Sequence, residues 1–265
     1  GNAFLNDGLE VQGSYDNVVV DNLVNSNPLV YLENVSDYSV DDAGQVVLIN
    51  CSRITVENLN LSHTDYGAEL WQTDNTKISG NNVTDNNGYG IWLDSSSNNN
   101  TVSGNNIANN GIGVILVSTS TGFYLSPPSY NIISGNNITA NKEYGVSLYS
   151  SSNNSVYHNN FVNNTHQVGS DNSTNVWDNG YPPGGNYWSD YNGTDANHDG
   201  IGDTPYVIDA KNTDRYPLMG VFSEHALESL WASPLVIGAI VAVIIVAALS
   251  FMKFRRKKPK TRVRA

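Results

Sequence analysis

The sequence predicts an all-β fold: a parallel β-helix solenoid with an aromatic C-terminal cap, followed by one transmembrane α-helix. Three observations predict it. A six-residue motif, Ile-Ser-Gly-Asn-Asn-Val at residues 78–83, returns in altered form at 102–107, 133–138 and 156–161. Five glycines each open an apolar segment, at even spacing except for a longer last interval: Gly44, Gly67, Gly90, Gly113 and Gly145. Near the C-terminus, an uncharged apolar run precedes a basic tail.

The repeats indicate strands rather than helices. Their β-branched apolar residues alternate with polar ones, and turn-forming Asn, Gly, Ser and Asp separate the copies. Self-similarity at a period of roughly 20–50 residues is typical of a solenoid. In a parallel β-helix, each strand lies about 4.8 Å above its equivalent in the previous coil. A disordered Asn-rich linker is the alternative, but disorder would not keep apolar residues in phase through six copies.

The second asparagine of each motif copy is the predicted ladder residue, because it recurs in four clear copies and two fainter ones upstream. Stacked amides can bond one another and the turn backbone, as in other cross-β stacks. We therefore expect these side chains to be inaccessible. The predicted ladder is Asn22, Asn58, Asn82, Asn106, Asn137 and Asn160.

The predicted domain order is repeats, cap, linker, membrane span and tail. The repeats cover residues 1–174, the cap 175–221 and a juxtamembrane linker 222–233. The cap is expected to be aromatic because terminal repeats must close the core. Since the chain begins at Gly1 without an export signal, we expect the natural N-terminus to be missing or processed.

Residues 234–252 predict a single membrane span, because the run is apolar and long enough to cross a hydrocarbon core. The tail, 253–265, carries 8 of the 13 basic residues. By the positive-inside rule, the C-terminus is cytoplasmic and the β-helix is extracellular, at the cell membrane. A buried core helix and a cleaved anchor signal are the alternatives, and the basic tail disfavours both.

Charge excludes nucleic acid as a partner. Residues 1–252 hold 5 basic against 25 acidic residues, a net charge of −20. Phosphate backbones would be repelled by such a surface. The single cysteine, Cys51, permits no disulfide within the chain and is expected to be a buried core residue.

An Asp-rich stretch in the cap predicts a structural calcium site. Its oxygen donors alternate, a glycine follows the third of them, and a backbone carbonyl is available, as in the first part of an EF-hand loop. An acidic turn without a cation is the alternative, and Asp190 or Asp209 is available as a further ligand. Copper is not supported, because Cys, Met and His clusters are missing. The predicted calcium ligands are Asp195, Asn197, Asp199, Ile201 and Asp203.

Two pairs of residues are candidates for ligand binding. Arg53 and Lys77 precede the same strand in successive coils and are expected to stack into a basic spot suited to a carboxylated sugar, or else to balance carboxylates such as Asp74. Phe123 and Tyr124 lie in a proline-containing loop between two coils, where they contact a ligand or cover the sheet. The preferred glycosylation sequons are Asn99, Asn153, Asn172 and Asn192.

The stretches at 43–51, 54–61, 184–191 and 199–206 resemble archaeal surface proteins of the NosD-like right-handed β-helix group. The resemblance implies a right-handed, three-faced β-helix and a place among carbohydrate-binding and sugar-hydrolysing β-helices. The group's name also implies copper delivery to nitrous oxide reductase, for which this chain lacks the residues.

The sequence therefore favours a membrane-anchored surface protein that binds polysaccharide or another envelope component along the solenoid face. Repetition without a convergent polar pocket suits an extended binding face. One alternative is a polysaccharide lyase or glycoside hydrolase, which needs two carboxylates near the scissile bond. The other is a copper metallochaperone.

Overall fold

A computed structural model of the protein describes residues 1–118 and 126–223. These residues form strands and no helix, so they contain no helix able to cross a membrane. The predicted span, 234–252, and tail, 253–265, lie outside the described residues. The strands in chain order are β1 (Ala3–Phe4), β2 (Leu23–Val24), β3 (Asn27–Glu33), β4 (Ser36–Val40), β5 (Gln45–Ile49), β6 (Ser52–Glu57), β7 (Tyr66–Trp71), β8 (Lys77–Ser79), β9 (Asn82–Thr84), β10 (Tyr89–Asp94), β11 (Thr101–Ser103), β12 (Asn106–Ala108), β13 (Ile112–Val117), β14 (Ile132–Ser134), β15 (Asn137–Thr139), β16 (Tyr144–Tyr149), β17 (Ser155–Tyr157), β18 (Asn160–Val162), β19 (His166–Asp171), β20 (Tyr187–Trp188), β21 (Tyr206–Val207) and β22 (Thr213–Asp214).

The chain winds in coils, and each regular coil adds one strand to each of three sheets. Sheet I has the order β1-β2-β3-β5-β7-β10-β13-β16-β19, sheet II β17-β14-β11-β8-β6-β4, and sheet III β20-β18-β15-β12-β9. Pairing between successive coils is parallel; Val102, for example, pairs with Ile78 on one side and Ile133 on the other. The predicted all-β fold of coiled parallel strands is confirmed.

Apolar side chains stack inside the coils. In sheet III, the interior column runs Val83, Ile107, Ile138 and Phe161, each 0 % exposed. Burying each such side chain contributes roughly 1.5–3 kcal/mol. The column continues into aromatic rings, because Trp188 stacks on Phe161 at 4.4 Å between ring centroids.

Three buried rows of asparagines line the corners between the sheets. In each row, the side-chain Oδ1 of one asparagine accepts a hydrogen bond from the backbone N–H of the asparagine one coil earlier. Its Nδ2 donates to a backbone carbonyl that also lies in the earlier coil. Asn105 Oδ1, for example, accepts from the backbone N–H of Asn81 at 2.9 Å, and its Nδ2 donates to the carbonyl of Ile78 at 2.9 Å. The rows satisfy turn backbone that has no sheet partner. They are Asn81-Asn105-Asn136-Asn159-Asn186, Asn86-Asn110-Asn141-Asn164 and Asn100-Asn131-Asn154-Asn175-Asn212.

The recurring glycines stand where two coils approach closely. A Cβ on Gly90 would lie 2.6 Å from the carbonyl oxygen of Gly113 and 3.0 Å from Nδ2 of Asn110. Any side chain there would displace backbone, so the glycines are a packing requirement of the corner.

The cap closes the C-terminal end around a buried carboxylate. Asp214 is 0 % exposed and accepts from Nε1 of Trp188 at 2.8 Å and from the backbone N–H of Asn186 at 2.7 Å. Tyr206 stacks on Trp188 at 4.2 Å and continues the aromatic column.

The segment of residues 7–17 crosses the outer face of sheet I. Gln45 exchanges two hydrogen bonds with the backbone of Leu9, at 2.8 and 2.7 Å. Glu69 accepts from the backbone N–H of Val11 at 3.2 Å. Leu9 and Val11 pack against sheet I residues that include Trp71, so this part of the face is covered.

Candidate functional site

The outer face of sheet III carries an in-register row of exposed amides. Asn82 pairs with Asn106, Asn106 with Asn137, and Asn137 with Asn160. Asn82 bridges to Asn60 at the edge of the row. Three of these residues, Asn82, Asn106 and Asn137, are exposed, and Asn160 is buried at the end of the row.

Hydrogen bonds between the amides set the orientation of the row. Asn106 Nδ2 donates to Asn82 Oδ1 at 2.7 Å, and Asn82 Nδ2 donates to Asn60 Oδ1 at 2.8 Å. Asn160 Nδ2 donates to Asn137 Oδ1 at 2.7 Å. Each exposed amide still has hydrogen-bonding capacity for an external group, since an asparagine side chain offers two donor protons and two acceptor lone pairs.

The face is uncharged. The second outward position on each strand holds Thr84, Ala108, Thr139 or Val162, which are in register with one another. The outward residues of β9, β12, β15 and β18 are thus four asparagines and four uncharged partners, on a protein whose body is strongly acidic.

The predicted stacking of Asn82, Asn106, Asn137 and Asn160 is confirmed, but the prediction that these side chains are inaccessible was wrong for three of them. The inaccessible amides belong to the first asparagine of each pair, and Asn82, Asn106 and Asn137 are exposed. The physical reason is strand alternation: Val83 points inward, so Asn82 beside it must point outward. Asn160 alone among these four is buried; it exchanges hydrogen bonds with the backbone of Phe222, 2.6 Å from its Oδ1 and 3.1 Å from its Nδ2.

Asn22 and Asn58 do not belong to this row. Val56 pairs with Ile78, which makes this coil shorter than the next and places Asn60, not Asn58, beside Asn82. Asn58 occupies a corner with φ 59°, one coil before Gly80. Asn22 accepts from the backbone N–H of Asn2 at 2.8 Å.

The predicted basic spot of Arg53 and Lys77 does not form. Lys77 pairs with Thr55, two positions beyond Arg53, because the coil is shorter than the sequence separation of the two cations. Arg53 instead makes two hydrogen bonds to Asp37, at 2.6 and 2.7 Å, and Lys77 forms an ion pair with Glu57. Phe123 and Tyr124 lie outside the described residues.

In the Asp-rich loop, the carboxylates bond to the loop itself. Asp195 accepts from the backbone N–H groups of Asp199 and Gly200, at 3.1 and 2.9 Å, and Asp203 accepts from Ala196 N–H at 2.9 Å. Asn197 Nδ2 donates to Asp199 at 3.0 Å, and Ile201 is buried. Within residues 1–118 and 126–223, no three His, Cys, Asp or Glu side chains converge on a metal position. Calcium binding stays a prediction.

The four preferred sequon asparagines are exposed. Three of them, Asn99, Asn153 and Asn172, have a positive φ, of 57°, 64° and 49°. Asn192 is exposed in the cap. Accessibility is thus compatible with modification at Asn99, Asn153, Asn172 and Asn192, which stays a prediction.

A cleft of about 500 Å³ separates the last coil from the cap. Gln167, Ser189, Asp190 and Tyr206 line it together with His166. The Tyr206 hydroxyl donates to Asp190 Oδ2 at 3.1 Å, and Gln167 Nε2 donates to Ser189 Oγ at 2.9 Å. These residues come from different coils and from the cap, so no spacing in the sequence indicates that they meet.

A pair of acidic residues is buried on the outer face of sheet I. Glu69 and Asp94 are on neighbouring strands and are 1 % and 2 % exposed. Burial, assisted by the charges of Glu10 and Asp94, raises the pKa of Glu69 to about 8. Trp92, opposite Glu69, is 1 % exposed, so this pair does not face solvent.

Comparison with known families agrees with the coil geometry. The family described as right handed beta helix region matches residues 34–181. The match covers more than half of the chain, and the chain therefore belongs to this family of right-handed β-helices.

Solved structures of mutants of the periplasmic alginate epimerase AlgG are similar to this chain. A double mutant is 20 % identical with a TM-score of 0.41, over 57 % of this chain and 34 % of that chain. A single mutant is 20 % identical with a TM-score of 0.40, over 56 % and 43 % of the two chains. This chain thus spans less than half of either structure's length. No curated protein matches its sequence.

Proposed function

We propose that this protein is a membrane-anchored cell-surface β-helix that binds a neutral polysaccharide along the outer face of sheet III. The observation that supports it is the uncharged, in-register row of exposed amides on that face. From Asn60 to Asn137 the exposed row crosses four strand positions, roughly 14 Å at about 4.8 Å per step. That length suits a polymer better than a single small molecule.

The charge distribution favours a neutral ligand. The body of the protein has a net charge of −20, which repels acidic polysaccharides at low ionic strength. The outward residues of sheet III carry no charge, so they would lose no ion hydration when a ligand covers them. Amides offer both donors and acceptors to sugar hydroxyls.

The location of the protein is part of the proposal. Residues 234–252 supply the membrane span and the basic tail holds the C-terminus in the cytoplasm, which leaves the β-helix outside. A relationship to NosD-like archaeal surface proteins fits this arrangement, because the sequence resemblance covers both the coils and the cap.

A lyase or hydrolase is the second candidate, and the covered acidic pair favours it. Glycosidases use two carboxyl groups roughly 5–9.5 Å apart, one of them with a raised pKa. Glu69 and Asp94 lie on adjacent strands and two positions apart in register, and the pKa of Glu69 is raised. Catalysis would require residues 7–17 to leave the face, because Val11 bonds to Glu69.

One experiment tests both candidates. The full chain in detergent is incubated with neutral polysaccharides (cellulose, chitin and mannan) and with acidic ones (alginate and polygalacturonate), and both retention and soluble products are scored. We expect retention by a neutral polysaccharide without new reducing ends. Retention by acidic polysaccharides alone would contradict the proposal. Product release that is lost in Glu69→Gln would support the second candidate instead.

A further inference from the structure

We infer that the cleft between the last coil and the cap binds one ring of a neutral saccharide, with Asp190 as hydrogen-bond acceptor and Ser189 as donor. The cleft is separate from the amide row on sheet III, and the inference does not depend on the proposed function. Its volume of about 500 Å³ falls in the roughly 300–1,000 Å³ range of small-molecule sites.

The carboxylate of Asp190 is held in place before any ligand arrives. Tyr206 donates its hydroxyl to Asp190 Oδ2 at 3.1 Å, and Gln167 Nε2 donates to Asp190 Oδ1 at 3.3 Å. Gln167 is only 7 % exposed, and its own Oε1 accepts from Asn164 Nδ2 at 3.0 Å, so its amide cannot turn freely. A carboxylate accepts about four hydrogen bonds, so Asp190 retains acceptor capacity toward the cleft.

Asp190 forms no ion pair with the described residues. In the described part of the chain, the ion pairs join Arg53 to Asp37, Lys77 to Glu57 and Arg215 to Asp178. Burial, together with the charge of Asp190, raises the pKa of Tyr206, which therefore stays a neutral donor. With these donors fixing its position, the carboxylate of Asp190 presents an oriented acceptor to the cleft.

Ser189 supplies the complementary donor. Its Oγ accepts from the backbone N–H of Asn163 at 3.0 Å and from Gln167 Nε2 at 2.9 Å. These two bonds occupy both lone pairs, and among the described residues no acceptor takes the hydroxyl proton, which remains free to donate. An acceptor and a donor on consecutive residues match two neighbouring hydroxyls of a sugar, one donating to Asp190 and one accepting from Ser189.

The remaining walls suit a sugar ring rather than a small ion. Val207 and Ile208 give the cleft an apolar side against which the C–H face of a ring can pack. His166 also lines the cleft, and its ring stacks on that of Tyr144 at 4.9 Å between centroids. Few polar groups with fixed orientation beside apolar surface are typical of ligand sites.

The test is saturation-transfer NMR on the full 265-residue chain in detergent, with the neutral sugars glucose, galactose, mannose and N-acetylglucosamine as probes and cationic glucosamine as a comparison. We expect at least one of the neutral sugars to bind, and Asp190→Ala and Ser189→Ala each to weaken that binding by about tenfold or more, because an unpaired sugar hydroxyl is costly. Asp41→Ala, which removes an exposed carboxylate before β5, is the matched control and should bind as the parent does.

Melting temperature verifies that the variants fold, and Asp190→Asn, which keeps the side-chain size, replaces Asp190→Ala if that variant does not. Three results would overturn the inference: no neutral sugar binds, the cleft variants bind like Asp41→Ala, or only the cationic sugar glucosamine binds. Retention of neutral polysaccharides by the parent chain is scored separately, so failure of this inference and failure of the sheet III proposal are distinguishable.

Discussion

Asn81 donates both its backbone N–H and its Nδ2 to the same atom, Oδ1 of Asn105, at 2.9 and 3.0 Å. Asn105 in turn donates to the carbonyl of Ile78. Adjacent to it, Asn106 faces solvent on the outside of sheet III. Two neighbouring asparagines of one motif thus differ completely in environment, one inside a corner and the other on a face.

The first prediction compares these two neighbours. Asn105→Ala leaves buried donors on Asn81 and a buried carbonyl on Ile78 without partners, which should lower the free energy of unfolding by about 3 kcal/mol. Asn106→Ala is the control and should change it by roughly 0.5 kcal/mol or less. Urea unfolding followed by circular dichroism measures both. Equal effects would contradict the assignment of the inner row.

The second prediction concerns the corner glycines. Gly90→Ala places a Cβ 2.6 Å from the carbonyl oxygen of Gly113, so the backbone must move. We expect this to lower the free energy of unfolding by about 2 kcal/mol. Gly220→Ala meets nothing within 4 Å and is the matched control. Thermal unfolding of the two variants checks this; a melting temperature for Gly90→Ala equal to that of the control would refute the close approach.

The third prediction is a pH dependence of stability. Burial raises the pKa of Glu69 to about 8 from an ordinary value of 4.5, so between these values the folded chain holds a proton that the unfolded chain releases. This group's contribution to stability therefore falls as pH rises through that window, by up to roughly 5 kcal/mol.

Glu69→Gln separates this effect from other titrations. Glutamine keeps an acceptor for the backbone N–H of Val11 but carries no charge. We expect the variant to gain stability over the parent at pH 8.5 and to differ little at pH 5, measured by urea unfolding. A stability difference that does not change with pH would mean that Glu69 does not titrate in this window.

The fourth prediction concerns the Asp-rich loop. If calcium binds there, 1 mM calcium should raise the melting temperature by a few degrees and a chelator should reverse this, because a ligand that binds only the folded state stabilises it. Asp195→Asn should remove the response and Asp41→Asn should keep it. Melting temperatures that do not respond to calcium would contradict the calcium prediction. The loop would then be an acidic turn whose carboxylates bond only to its own backbone.

Part of the structure could be predicted because it repeats. The period, the strands and the interior column of Val83 and Ile107 follow from apolar residues at constant phase. The side on which each asparagine lies was also accessible from the sequence, since Asn82 immediately precedes inward-pointing Val83 and alternation sends it outward. Choosing the buried asparagine as the one that recurs in every motif copy was therefore the wrong criterion.

Register between coils was harder to predict. Extra residues are absorbed at corners, so the coil from Val56 to Ile78 is shorter than the coil from Ile78 to Val102. Arg53 and Lys77 fall out of alignment for this reason. The cleft residues Gln167 and Asp190 meet only because the cap folds back on the last coil, and no local pattern carries that information.

The most direct test of the central claim is a comparison of two matched triple variants for retention by the neutral polysaccharide that binds the parent chain. One replaces outward asparagines of sheet III: Asn82→Ala, Asn106→Ala and Asn137→Ala. The other replaces outward hydroxyl residues of sheet II: Thr101→Ala, Ser103→Ala and Ser134→Ala. If the sheet III face is the binding surface, the first triple should lose retention about tenfold or more while the second retains it. Equal retention by the two triples would contradict the claim.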